Sequence, residues 1–347
     1  MDEKFNAPVT PMRIGIFGAG AIGGHLAAKL SSAGHQVSVI ARGANLAAIA
    51  QRGIMLHTRD RQIKGKIHTA SDRAEDLGPQ DIVFCTVKTT GLSAFAATVG
   101  PMLGPQTMVV FAQNGIPWWY NNGLSPSLPK PPDLSHLDPD GTLATTVGAE
   151  RVIGATVYTA NALIEPGVVR HEIPDSNRLI VGEPGDQPSE RIMQLRSILE
   201  NAGIDSPATD NIRAMIWGKL MLNLSEAPIC LLTDHSLDVI VGDPALGHIF
   251  IRLIHEGLAI AAASGIKLDN EAILKRLSKF LTVPHHHKAS IFLDYQQGRP
   301  MEIETMIMTP VAFGRAAGVL MPTLDALTAI IARRVIEKGL YTPAGSG

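Results

Sequence analysis

The chain has 347 residues, enough for two domains that each bury a core, with 45% hydrophobic and 18% charged residues. A net charge of −2 with scattered basic residues excludes a sequence-independent nucleic-acid binder. The first apolar run, residues 12–17, is too short for a membrane span or a signal core, and no later run reaches spanning length without a charge, Gly or Pro, so a cytoplasmic protein with no membrane partner is expected.

Short β-type runs alternate with helical patterns through the first half, the mark of βαβ units and a parallel sheet. Residues 13–17 read as a buried strand, 18–24 as a glycine-rich turn, and the segment to about Ala33 as an Ala/Leu-rich helix. A second strand follows over 35–40, a helix over 43–52 and a pair of strands within 54–70. Residues 81–87 and 107–112 are two more strands of the buried kind, one of which holds Cys85. Cys85 and the distant Cys230 both read as buried, unpaired thiols. Residues 116–148 break the pattern with Trp118-Trp119-Tyr120 and a Pro-rich, acidic stretch, and read as a lid or mobile insertion. Strands resume over 152–159, 167–171 and 178–181, an amphipathic helix covers 189–202, and 203–210 is the expected domain junction. From Asn211 on the pattern is helical: 211–224, 243–264, 270–280, 305–317 and 323–336. The domains expected are therefore 12–205 and 209–338.

Gly18-Ala19-Gly20-Ala21-Ile22-Gly23 is a G-x-G-x-x-G between a strand and a helix, the context in which the motif binds a dinucleotide. Gly18 permits the tight turn, Gly20 lets backbone approach the pyrophosphate, and Gly23 lets helix pack on strand. The second strand ends in Ala41-Arg42, with no acidic residue until Asp60, so Arg42 suits a 2′-phosphate and the cofactor expected is NADP(H). Lys88 and Asn114 follow later strands, where the cofactor crevice should lie: Lys88 to reach phosphate, Asn114 to bond the nicotinamide ribose or a substrate oxygen. Lys219 and Asn223, four apart, share a face of an otherwise apolar helix. Partial burial there would move the lysine toward an acid/base range, although a snorkelling edge lysine has the same pattern. His285-His286-His287 lacks a carboxylate or Cys partner and reads as polar loop, so no metal is expected.

Together with Val87-Lys88-Thr89, Gln113-Asn114-Gly115, Glu165-Pro166-Gly167-Val168-Val169-Arg170-His171, Trp217-Gly218-Lys219-Leu220-Met221-Leu222-Asn223, Ser290, Asp294, Gly298-Arg299-Pro300 and Met301-Glu302-Ile303-Glu304, the glycine motif resembles the ketopantoate reductase (2-dehydropantoate 2-reductase) family. The resemblance implies an α/β Rossmann-type dinucleotide-binding domain followed by an all-α domain of the 6-phosphogluconate-dehydrogenase C-terminal type. It also implies NADPH-dependent reduction of ketopantoate to pantoate, a step of pantothenate biosynthesis. On that pattern Lys219 donates a proton to the keto oxygen, and Glu302, the second catalytic residue, helps hold the substrate's hydroxyl end and the active-site geometry. Asn114, Asn223 and Ser290 contact substrate, and Gly18, Ala19, Gly20, Ala21, Ile22, Gly23, Arg42 and Lys88 serve the cofactor.

The chain departs from the family where an Asn-Pro is usual: it reads Ala227-Pro228. Ala227 and the Trp118-Trp119-Tyr120 run leave open a bulkier 2-keto acid or an opine-type substrate on the same fold, and a silent NADP(H)-sensing protein is a third reading. A homodimer, and whether Glu302 or Glu304 faces the cleft, are also left open.

Overall fold

Strands that are apolar on both faces need cover on both sides, and the alternation of strand and helix supplies it. The computed structural model describes residues 10–173, 176–278 and 289–343. In it β1 (Arg13–Phe17), buried at all but its first residue, is followed by α1 (Ala21–Ser32), β2 (Gln36–Ile40) and α2 (Gly43–Arg52). A hairpin of β3 (Ile54–His57) and β4 (Gln62–Gly65) leads to β5 (Ala70–Ser71), β6 (Gln80–Cys85), α3 (Leu92–Thr98) and β7 (Leu103–Phe111). After α4 (Thr142–Val147) come β8 (Val152–Thr159), β9 (Asn161–Glu165), β10 (Val168–His171), β11 (Asn177–Gly182) and α5 (Glu190–Asn201).

One sheet has the order β5-β2-β1-β6-β7-β8-β11, parallel throughout except where β11 pairs antiparallel to β8. The chain reverses direction of winding between β1 and β6, which opens a crevice at the carboxyl ends of those strands. A second sheet, β4-β3-β10-β9, packs on α1. The sequence expected one strand pair within 54–70 and no strand where β9 lies. The third strand, β5, has two residues, and β9 is a half-exposed edge, so neither carries a hydrophobic period.

The second domain comprises α6 (Ile212–Thr233), α7 (Leu237–Gly242), α8 (Pro244–Ala263), α9 (Asn270–Ser278), α10 (Ser290–Gln296), α11 (Thr309–Ala316) and α12 (Pro322–Glu337). Asn211 caps α6 by accepting from Ala214 N–H at 2.8 Å, and Asp243 caps α8 from Ala245 and Leu246. The sequence expected α6 to end at Leu224, yet it runs on through Pro228 to Thr233. Helices α8, α10 and α12 pack on it, and Ala227, Ile229, Cys230 and Leu231 are buried there. That burial outweighs the one hydrogen bond a proline removes. Helix α8 is long and apolar enough to cross a membrane, but Phe250, Leu253, Ile254 and Ile260 on it belong to the helical core. A wide π-turn, Glu304–Met308, stands where a regular helix start was expected.

The insertion packs down. Trp119 and Tyr120 are each 1% exposed, and Leu134 joins the helical core. Arg213, also 1% exposed, donates to the carbonyls of Tyr120, Asn122 and Pro184, pairs with Asp186 at 3.3 Å, and lies 5.3 Å from the Tyr120 ring centroid. Those two aromatics therefore pin the insertion instead of capping a substrate. Phe280 and His285-His286-His287 lie outside the described residues.

Candidate active site

The glycine motif sits at the end of β1 with a separate reason for each glycine. Gly18 has φ +101°, and a Cβ there would lie 2.8 Å from a Val87 methyl. A Cβ on Gly23 would lie 2.1 Å from the Gly18 carbonyl oxygen, so only glycine lets α1 approach the strand. A Cβ on Gly20 would meet nothing within 4 Å, so what it would fill is space outside the protein. Ala19 is anchored from behind by Asn45, which donates to its carbonyl at 2.7 Å. Gly20 caps α1 without a side-chain acceptor, which leaves the first amides, at Ala21 and Ile22, to face that space. These residues fit a dinucleotide pyrophosphate at the positive end of a helix. Arg42 is exposed at the start of α2, directly after β2.

Across the crevice, the loop after β7 carries Asn114. A Cβ on Gly115, at φ +82°, would lie 2.4 Å from the Thr305 backbone, and Ile116 N–H donates to the Thr305 carbonyl at 2.9 Å. The π-turn thus docks the Asn114 loop onto the helical domain. Lys219 on α6 donates to Asn114 Oδ1 at 2.6 Å and to the Val157 carbonyl on β8, and its ammonium stands 5.6 Å from the Tyr158 ring centroid. One half-buried amine therefore joins α6 to two strands of the large sheet. Asn223 is half-buried one turn further along α6, and Ser290 is exposed at the start of α10, which packs on α6.

A second cluster forms around Glu302. Its buried carboxylate accepts from Thr89 N–H at 2.9 Å. Burial raises its pKa, opposed by that N–H and by nearby Lys88. Lys88 is paired with Asp294, whose other oxygen takes Arg299 at 2.7 Å, so a cofactor phosphate would compete with that carboxylate for the lysine. Glu304 points elsewhere: it meets His136 of the insertion at 3.2 Å and accepts from Tyr341. Burial works to raise the Glu304 carboxyl, but the His136 and Tyr341 bonds hold it below its usual range. Both carboxylates therefore reach across to the first domain, Glu302 to the loop after β6 and Glu304 to the insertion. Burial lifts the Cys85 thiol to about 12 and raises Cys230 as well, which leaves both inert. Among the described residues no cluster of His, Cys, Asp or Glu is arranged to hold a metal.

No sequence signal marked the Val157 carbonyl, a backbone group, or the Tyr158 ring at a strand end. Asp294 carried no assigned role, although its spacing to Arg299 places both at one turn.

Comparisons with known proteins cover nearly the whole chain. Residues 14–185 match the family model Ketopantoate reductase PanE/ApbA, and residues 211–335 match its C-terminal counterpart. A 2-dehydropantoate 2-reductase from Mesorhizobium japonicum is 38% identical over 95% of this chain and 100% of its own length. A candidate ketopantoate reductase from Ralstonia solanacearum MolK2 superposes with a TM-score of 0.83 at 31% identity, covering 96% of this chain and 100% of that one. A 2-dehydropantoate 2-reductase from Geobacter metallireducens GS-15 gives 0.79 at 27% identity, covering 93% and 100%.

Proposed function

The chain belongs to the ketopantoate reductase family, and on that premise we propose that it reduces 2-dehydropantoate to pantoate with NADPH, Lys219 acting as proton donor. The observation that carries this is the contact of Lys219 with Asn114 and the Val157 carbonyl. Reducing a 2-keto acid needs hydride, which reduced nicotinamide supplies when bound, and a proton for the oxygen that becomes alkoxide. The two carbonyl acceptors fix the Lys219 amine at the boundary of the domains, so its proton is delivered at one place. Asn114 bonds that amine from the β7 loop, Asn223 follows Lys219 by one turn of α6, and Ser290 starts α10, which packs on α6. Glu302 holds the Thr89 backbone and so shapes the loop after β6. Arg42 supports NADPH over NADH, because an exposed guanidinium follows β2 where a ribose-binding carboxylate would otherwise sit.

The test is oxidation of NADPH by purified protein with 2-dehydropantoate beside a panel of other 2-keto acids. Lys219→Ala should lower kcat by about two to four orders of magnitude while NADPH binds as before. Unchanged kcat in that variant removes Lys219 from the chemistry. Arg42→Ala should weaken NADPH binding about tenfold or more and leave NADH binding unchanged. Equal loss for both cofactors would remove Arg42 from 2′-phosphate recognition.

A further inference from the structure

We propose that Glu226 recognises the hydroxyl at the end of the substrate remote from the keto group, an assignment that rests on the reading of 2-dehydropantoate as substrate. Lys219, Asn223 and Glu226 are spaced four and three residues apart on α6, so they share one face. Ala227, beside them, has no side-chain hydrogen-bonding atom. Glu226 is 1% exposed; its carboxyl takes the backbone N–H of Ala289, directly before Ser290, and Oε1 has no hydrogen-bond partner among the described residues. A buried polar atom left unmatched costs about 1–3 kcal/mol, which a leucine at this core position would avoid. Stability therefore does not explain the residue, whereas a ligand that completes its bonds does.

The reach is right. Seven residues of helix separate Lys219 from Glu226 by about 10 Å along the axis. The keto and hydroxyl oxygens of 2-dehydropantoate are about 4 Å apart, and a hydrogen bond of about 3 Å at each end completes the span. Helical side chains lean toward the N-terminus, which tilts the Glu226 carboxyl back along α6 toward Asn223. Burial, opposed by the Ala289 N–H, pushes Glu226 up to about 8, so at neutral pH the group is a carboxylic acid. That form offers an O–H donor and a carbonyl acceptor, the complement of a hydroxyl, and does not repel the substrate's own carboxylate.

The experiment compares 2-dehydropantoate with trimethylpyruvate, which has the same carbon skeleton without the hydroxyl, in wild type, Glu226→Gln and Glu226→Leu. The wild type should prefer 2-dehydropantoate. Glu226→Leu should cut that preference in kcat/KM by about ten- to a hundredfold, through the KM for 2-dehydropantoate. Its kcat with trimethylpyruvate and its NADPH affinity should stay as in wild type. Glu226→Gln, which keeps a donor and an acceptor, should retain the preference. If the leucine variant does not fold, Glu226→Met, unbranched and of similar length, gives the same reading. An apolar variant that folds and keeps the wild-type preference overturns the Glu226 assignment and leaves the proposed substrate standing. A wild type that prefers trimethylpyruvate overturns both.

Discussion

His25 lies one turn into α1, just past the glycine motif, and is 1% exposed. Its Nε2 meets Asn177 Oδ1 at 2.9 Å, and its ring centroid is 5.4 Å from that of His171. Burial pushes its pKa down to about 3; Lys29 and His171 add to the fall, and the Asn177 bond opposes it. An unfolded chain binds this proton near pH 6.5, so between about 6.5 and 3 the unfolded state holds more protons than the folded one. Stability from His25 is complete above pH 6.5 and is lost as the pH falls, at about 1.4 kcal/mol per pH unit. By pH 5 the loss reaches about 2 kcal/mol, a large share of the roughly 5–15 kcal/mol that holds a typical domain. His25→Gln can still bond Asn177 but does not titrate. Urea unfolding of both proteins at pH 7 and pH 5 separates this effect from every other titrating group. The stability of wild type relative to His25→Gln should fall by about 2 kcal/mol between those pH values. An unchanged difference would mean that His25 takes up its proton in the folded protein without cost, and the burial argument would be wrong.

Arg213→Met leaves three backbone carbonyls in the interior without their donor and removes the pair with the partly exposed Asp186, and should destabilise by about 3–5 kcal/mol, read from the urea midpoint at constant slope. A loss below about 1 kcal/mol would mean that water replaces the guanidinium there. The glycines separate binding from folding. Gly20→Val, whose Cβ meets no protein atom, should leave the unfolding midpoint in place and weaken NADPH binding about tenfold or more. Gly23→Ala, which places a methyl 2.1 Å from the Gly18 carbonyl oxygen, should instead cost about 1–3 kcal/mol of stability. The opposite pattern would reverse the roles given to the two glycines.

Local signals fixed much of this protein. The strands β1, β2 and β8, the helices α1, α2 and α5, and the need for glycine at Gly18 and Gly23 were legible because a buried strand, an amphipathic helix and a tight turn each leave a period or a residue type behind. Lys219 and Asn223 could be placed on one helical face for the same reason. What brings Lys219 to Asn114 and to the Val157 carbonyl is the docking of α6 and the Thr305 turn against the ends of β7 and β8, residues 62 and 105 positions away from the lysine. No local pattern encodes a contact of that range. Tertiary packing alone carried α6 past Pro228, turned Trp119 and Tyr120 into anchors around Arg213, sent Glu304 to His136 while Glu302 took Thr89, and left Glu226 in the core with one oxygen unmatched among the described residues. Each of these depends on which surfaces meet and how dry they become, and sequence spacing along a single element carries neither.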